Sequence, residues 1–271
     1  MTGTKRVVVV TGASGGIGAA LARRLGGRGD RLVLAARRAD ALARVAEEAG
    51  TDALPVVTDV TRRDEVERLR DEAVRAFGRV DVWVNNAGRG ISRPVMELTD
   101  DDFDEMMRVN VKSALYGMQA VVPHFEKNGS GHLVNVSSFL GRVPLAAHRS
   151  AYNAAKAALN ALTANLRVDL RARHPGIHVS LVMPGVVSTE FAAHALGADG
   201  PAPSPAGAMR PQTAEEVAVR IEDLLDHPRA EIYTNPAGPE IARRYFEDVE
   251  AFEVEAAREA ALAASAPDRS L

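Results

Sequence analysis

Six short runs rich in β-branched residues, largely apolar on both faces, restrict this chain to a sheet that is covered on either side. They are Val7–Val10, Leu32–Ala35, Ala53–Val57, Val80–Val84, His132–Val136 and His178–Val182. A strand with one wet face alternates apolar and polar residues, whereas a strand buried on both faces reads as a nearly continuous apolar run. Stretches with helical spacing separate the runs: Ile17–Leu25, Asp40–Ala49, Asp64–Phe77, Asp102–Phe125 and Tyr152–Arg173. Thr99 with Asp102, and Thr213 with Glu216, carry the spacing of a helix N-cap and its acidic third residue. This rhythm predicts successive right-handed βαβ units, hence an α/β fold with a doubly wound parallel sheet and helices on both faces. A helix over Thr213–Leu225 and a strand over Ala230–Thr234 complete a seven-stranded core.

At 271 residues such a core fits one domain, read here as 1–235. Within it, 186–211 is a long connection rich in proline and glycine, of the kind that is usually functional, read as the substrate loop and a candidate lid that closes over bound cofactor. Residues 236–271 form a tail in which Ile241, Tyr245, Val249 and Phe252 recur at helical spacing. They predict an amphipathic helix that packs on the body or on a partner subunit and frays near Ser265. A net charge of −3 gives no reason to expect nucleic acid or an anionic membrane as partner. The chain has no cysteine and its seven histidines lack ligand spacing, so no metal site is expected. The four-valine run near the N-terminus is too short for a signal peptide or a membrane span, and a soluble cytoplasmic protein is the expectation.

Three features carry chemistry. Directly after the first run, Thr11-Gly12-Ala13-Ser14-Gly15-Gly16-Ile17-Gly18 makes a tight turn that opens a helix. Glycines there permit positive φ and close approach of a pyrophosphate, which the free N–H groups and helix dipole favour. The second strand ends in Arg37 and Arg38 rather than in the acid that would hold a ribose 2′-hydroxyl. Arginine suits a 2′-phosphate, so NADP(H) is preferred and NAD(H) is possible. Third, Tyr152 and Lys156 stand one helical turn apart. With four tyrosines and four lysines in the chain, a chance Tyr-x-x-x-Lys is expected about 0.06 times. At about 5 Å and an effective dielectric near 20, the ammonium would favour a phenolate by roughly 3 kcal/mol, about 2 pKa units. A phenol so tuned can protonate a carbonyl oxygen as hydride arrives and deprotonate an alcohol in reverse.

Thr11-Gly-x-x-x-Gly-x-Gly18, Asn85-Asn86-Ala87-Gly88, Asn110, Ser138, Tyr152-x-x-x-Lys156 and Pro184-Gly185-x-Val187-x-Thr189 resemble, in order and spacing, the short-chain dehydrogenase/reductase family. The resemblance runs from about Arg6 to Thr234. It implies a single-domain Rossmann fold that moves hydride between a nicotinamide and a ketone or secondary alcohol, that is, a carbonyl reductase or alcohol dehydrogenase. It implies Tyr152 as general acid/base, Ser138 as a hydrogen-bond donor to the reacting oxygen, Lys156 on the nicotinamide ribose and Asn110 as anchor of a relay water. Gly12, Ser14, Gly16, Ile17 and Gly18 would hold the pyrophosphate, and Asp59 and Val60 would flank the adenine. Asn86, Ala87 and Gly88 would line the ribose side, and Pro184, Gly185, Val187 and Thr189 would meet the carboxamide. It also implies a homodimer or homotetramer. Glycine at 15 departs from the basic residue of many NADP-preferring members, and alanine at 155 from a common serine. The pocket is expected between Arg89–Val95, Phe139–His148 and the segment after Thr189, with Phe139, Leu140, Val143, Phe191 and Leu196 as apolar wall. Arg142, His148 and Arg149 read as a solvated loop more readily than as anion contacts. A non-catalytic NADP(H)-binding sensor or scaffold is the alternative, but it has no need for Asn110, Ser138, Tyr152 and Lys156 together.

Overall fold

The computed structural model describes residues 5–50, 52–197 and 209–265; part of the proline-rich connection, 198–208, and the last six residues lie outside them. The strands are β1 (Val7–Thr11), β2 (Arg31–Ala36), β3 (Ala53–Val57), β4 (Val82–Asn85), β5 (Gly131–Val136), β6 (Ile177–Met183) and β7 (Glu231–Tyr233). All seven pair in parallel in the order β3-β2-β1-β4-β5-β6-β7. The chain leaves β1 in one direction and returns at β4 to run the other way, so a crevice opens at the C-terminal ends of β1 and β4.

Successive residues of a strand serve opposite faces. Val8 and Val10 join α1 (Gly16–Gly27), α2 (Ala39–Ala49) and α7 (Ala214–Asp226) in one core, built around Leu21, Leu25, Leu42 and Ile221. Val9 faces the other core, where Trp83, Leu133 and Val33 meet α3 (Arg63–Phe77), α5 (Ser113–Asn128) and α6 (Ser150–Arg171) through Leu69, Phe125 and Leu159. Both faces are dry along the central strands, which is why those strands read as continuous apolar runs; the edge strand β3 is only partly covered, with Val57 half exposed.

The helix expected over Asp102–Phe125 is interrupted. It comprises α4 (Asp100–Met107), a π turn over Arg108–Lys112, and α5. The cause is local: Asn110 Nδ2 donates to the Met106 carbonyl (3.1 Å) and Ser113 Oγ to the Val109 carbonyl (2.5 Å). Side chains thus occupy i−4 carbonyls, and the backbone ladder slips by one residue. The tail is also two helices rather than one, α8 (Gly238–Glu247) and α9 (Val249–Ser265), broken at Asp248 in extended conformation. Both predicted caps form full capping boxes, Thr99 with Asp102 and Thr213 with Glu216.

Candidate active site at the strand ends

Gly12 has φ +67°, and a Cβ there would lie 2.8 Å from Ala87 Cα. This lets the glycine-rich turn lie directly against the Asn86–Ala87 segment after β4. Thr11 Oγ accepts from the N–H groups of Asn86 (3.0 Å) and Ala87 (3.2 Å), while Asn86 Nδ2 returns a bond to the Thr11 carbonyl (2.9 Å). Gly18 is as tightly held: an added Cβ would meet the Gly12 carbonyl oxygen at 2.5 Å and Asn86 Nδ2 at 2.7 Å. Gly18→Ala is therefore expected to cost about 1–3 kcal/mol and to weaken binding of a nicotinamide dinucleotide, as calorimetry and fluorescence titration will measure. Helix α1 begins at Gly16 with no side-chain cap and no acid in its first turn. Its first N–H groups thus suit a pyrophosphate, and the cradle fits the dinucleotide.

Arg37 and Arg38 are both exposed at the tip of β2. Arg38 bends over the turn, with Nη2 at 3.3 Å from the Ser14 carbonyl and 3.4 Å from Ser14 Oγ, against the space a side chain at 15 would occupy. Glu190 lies 3.9 Å from its guanidinium; sequence reasoning missed this neighbour, which becomes legible only when the segment after Thr189 is seen to fold back. Asp59 does not project freely. Partial burial would raise its carboxyl, but bonds from the Thr61 N–H and hydroxyl, with Arg37 and Arg108 nearby, hold it below the usual range. Val60 packs against the α3–α5 core. Past β6, Pro184 is buried, Val187 pairs with Gln212, and the methyl of Thr189 approaches Gly16. The segment carrying Thr189 therefore bridges the crevice.

Ser138, Tyr152 and Lys156 converge at the end of β5, all at least nine-tenths buried. Lys156 Nζ donates to the Val136 carbonyl (3.0 Å) and sits 5.6 Å from the centre of the Tyr152 ring. Burial pushes the Tyr152 phenol up to about 12, with Ser138 and Arg149 pulling the other way. Burial also pushes Lys156 down to about 8. This corrects the sequence-based expectation of a lowered phenol: desolvation outweighs the groups that favour the phenolate, and the phenol stays protonated at neutral pH. Ser137, the other hydroxyl at this tip, is used structurally, donating to Asn160 Oδ1 (2.6 Å). Asn110 is buried beside Gly88, and both ends of its carboxamide are hydrogen-bonded. Oδ1 accepts from the Arg89 N–H (3.2 Å), and Nδ2 donates to the carbonyls of Arg89 (2.9 Å) and Met106. A side chain so tied pins the loop after β4 onto the π turn.

A buried polar chain holds α6 in phase with β5. Trp83 Nε1 donates to Asn85 Oδ1 (2.7 Å), Asn85 Nδ2 to Asn135 Oδ1 (2.9 Å), and Asn135 Nδ2 to Thr163 Oγ (2.9 Å). Asn160 Nδ2 adds a bond to the Gly141 carbonyl (2.9 Å). Every donor here has an acceptor, so the network rigidifies the helix that presents Tyr152 and Lys156.

The expected apolar wall is only partly there. Phe191 packs edge-on against the Tyr152 ring (5.7 Å), and Leu140 and Leu196 join the cluster around it. Phe139 and Val143 instead turn into a core with Ile241 and Ala242 of α8, because the tail covers them. Arg142 is not solvated either: it pairs with Glu231 of β7. A separate cavity of about 660 Å³ beside α4 is lined by charged residues including Asp101, Asp104, Glu105 and Lys112, and by none of the three converging groups. The chemistry therefore belongs to the crevice. Among the described residues no cluster suits a metal, and no helix is long and apolar enough to cross a membrane.

Comparison with known proteins agrees with this geometry. The family model for short chain dehydrogenases matches residues 6–198. An uncharacterised oxidoreductase of Staphylococcus saprophyticus is 39% identical over 190 residues, which cover 70% of this chain and 77% of that protein. A short-chain dehydrogenase/reductase from Burkholderia phymatum, solved in complex with NAD, superposes with a TM-score of 0.81 at 30% identity, covering 91% of this chain and 94% of that one. The alcohol dehydrogenase of the archaeon Thermococcus sibiricus, complexed with 5-hydroxy-NADP, gives 0.74 at 28% identity, covering 85% and 96%. A family match from the first strand to beyond Thr189, with relatives alike along most of their own length, makes this chain an oxidoreductase of the short-chain dehydrogenase/reductase family.

Proposed function

We propose that the protein is an NADPH-dependent carbonyl reductase, acting in reverse as an alcohol dehydrogenase, on a ketone or secondary alcohol. The observation that carries this reading is a protonated, buried phenol with Ser138 and Lys156 gathered around it at the mouth of the dinucleotide crevice. A bound NADPH supplies the hydride. Tyr152 gives its proton to the carbonyl oxygen; burial keeps that proton on the phenol until the step, and because a phenol raised to about 12 is a weak acid, the neighbouring ammonium of Lys156 has to favour the phenolate as it forms. Ser138 Oγ–H holds the same oxygen and steadies the charge that develops on it. Lys156, charged below about 8, favours the phenolate left behind and can hold the nicotinamide ribose. The glycine-rich turn with Ser14 and Ile17 would take the pyrophosphate, Asp59 and Val60 the adenine side, Asn86, Ala87 and Gly88 the ribose side, and Gly185, Val187 and Thr189 the carboxamide.

The preference for NADPH rests on Arg37 and Arg38. Both are exposed; Arg37 has only the electrostatic neighbourhood of Asp59, and Arg38 stands 3.9 Å from the exposed Glu190, a surface pair weak enough for the guanidinium to turn to a 2′-phosphate. Replacing both by alanine is expected to lower kcat/KM with NADPH relative to NADH by about 10- to 100-fold, as for loss of charged hydrogen bonds. An unchanged ratio would remove the cofactor assignment. The reaction itself is tested by NADPH oxidation across a panel of ketones and aldehydes; tight cofactor binding with no turnover of any carbonyl would favour the sensor reading. A homodimer or homotetramer through the exposed faces of α4 and α6, where Phe103 and Val168 are open, and a cytoplasmic location belong to the same proposal.

A further inference from the structure

Four arginines stand on the segments that wall the substrate side of the crevice, and three of them are paired. Arg89 meets Glu105 (3.4 Å), Arg93 meets Asp102 (3.2 Å), and Arg142 meets Glu231. Arg149, three residues before Tyr152, has no carboxylate partner among the described residues. Among those residues its guanidinium makes one hydrogen bond, from Nη1 to the Ile91 carbonyl (3.1 Å). The guanidinium is nevertheless about half buried, enough to lower its pKa, and it is close enough to Tyr152 for the two to interact electrostatically. Taking a cation partly out of water without a counter-ion is costly, and four of its five N–H donors have no acceptor among the described residues.

Its position says where the missing partner would come from. The backbone of Gly90 runs so close that an added Cβ would stand 3.0 Å from both Arg149 Nη1 and Phe191 Cε1. Phe191 in turn lies against the Tyr152 ring. The segment that brings Phe191 there is stitched to the Gly90–Ser92 stretch by Leu196 N–H to the Gly90 carbonyl (3.0 Å) and Ser92 N–H to the Leu196 carbonyl (2.7 Å). The guanidinium therefore belongs to the same wall as the phenol and the aromatic ring beside it, on the substrate side.

We infer that Arg149 is a specificity-determining residue that anchors a carboxylate on the substrate, so that oxo acids are reduced in preference to neutral ketones. The inference rests on the carbonyl reductase reading and names its substrate class. A planar fork of N–H donors matches a carboxylate in two parallel bonds, and lysine would match it less well.

The test compares 2-, 3-, 4- and 5-oxo acids with their methyl esters, using NADPH and the full chain. For at least one acid, wild-type kcat/KM should exceed that of the ester about tenfold or more. Arg149→Met should lower this acid-to-ester ratio by about 30-fold or more, chiefly through KM, as for loss of one partner of a hydrogen-bonded charge pair. Arg149→Lys should fall between. Arg171→Met, at the far end of the 22-residue α6 and about 30 Å away along its axis, should leave the ratio as it was. A wild type that favours every ester, or a ratio unmoved by Arg149→Met, overturns the inference. If neither acids nor esters turn over, the reductase reading fails separately. The same ratio is then read from calorimetric affinities of the hydroxy acids and their esters for the NADP-saturated protein, with the same two outcomes deciding.

Discussion

Tyr152→Phe lowers kcat for carbonyl reduction by about 10³-fold, within the 10²–10⁴ range of a lost general acid, while NADPH still binds. The substitution removes one oxygen from a ring whose packing is set elsewhere. The ring rests in a cluster with Ile91, Met106, Val111 and Ala155 and is met edge-on by Phe191, so phenylalanine keeps the contacts. What disappears is a proton donor that burial keeps neutral up to about pH 12. Stopped-flow measurement of a single turnover, beside fluorescence titration of the cofactor, separates the loss of chemistry from a loss of binding. A variant within tenfold of wild type in the single-turnover rate would show that the proton comes from another group, and the proposed mechanism would go with it.

Acid is expected to begin destabilising the protein at about pH 6.5, above the range where its carboxylates titrate, and His132 is the main reason. This residue of β5 is buried, hydrogen-bonded through Nε2 to Ser180 Oγ (2.8 Å), and Ser180 passes its own proton to the Arg229 carbonyl. Burial, with His178 and Arg6 adding to it, pushes the imidazole down to about 3. Unfolded, it would titrate near 6.5. The folded state therefore favours the neutral ring, and its contribution is complete above pH 6.5. It is lost as pH falls from 6.5 toward 3, at about 1.4 kcal/mol per pH unit, or about 5 kcal/mol in all. That is comparable with the whole stability of many domains. Asp59 and Asp226, held below the usual carboxylate range, contribute only at lower pH, from about 4 downward. Urea midpoints measured from pH 7 to 4.5 should fall steadily in the wild type. His132→Gln, which keeps a partner for Ser180 but does not titrate, should lose most of that slope. His124 and His148, also lowered by burial, account for what remains. An equal slope in both proteins would move the effect away from β5.

The strands were readable because covering a parallel sheet on both faces leaves nearly every residue apolar, and the short-range motifs because each lies within one turn or one βα junction. Tyr152 with Lys156, and the three glycines of the first turn, need only local geometry to meet. What stayed hidden depends on partners far along the chain. Arg142 looks like a loop residue until β7 brings Glu231 beside it, 89 residues later. Phe139 and Val143 look like a pocket wall until α8 covers them. The Trp83–Asn85–Asn135–Thr163 chain cannot be seen without the register that sets Asn85 opposite Asn135. The lowered phenol was misjudged for a related reason. Spacing along a helix reports the distance to the lysine, but not the burial that acts on both groups.

The slipped turn at Arg108–Lys112 means that α4 and α5 look like a single rod but are out of phase by one residue, about 100° of rotation. Removing one residue there would restore an unbroken α-helix while swinging the acidic stripe of α4 around the axis. The Met106 carbonyl and the Arg89 backbone would then lose the carboxamide that bridges them. A single-codon deletion in this stretch would thus be felt first in the loop after β4, one side of the crevice, rather than in the hydrophobic interior. Alignments that close this gap for tidiness would erase the feature that places Asn110.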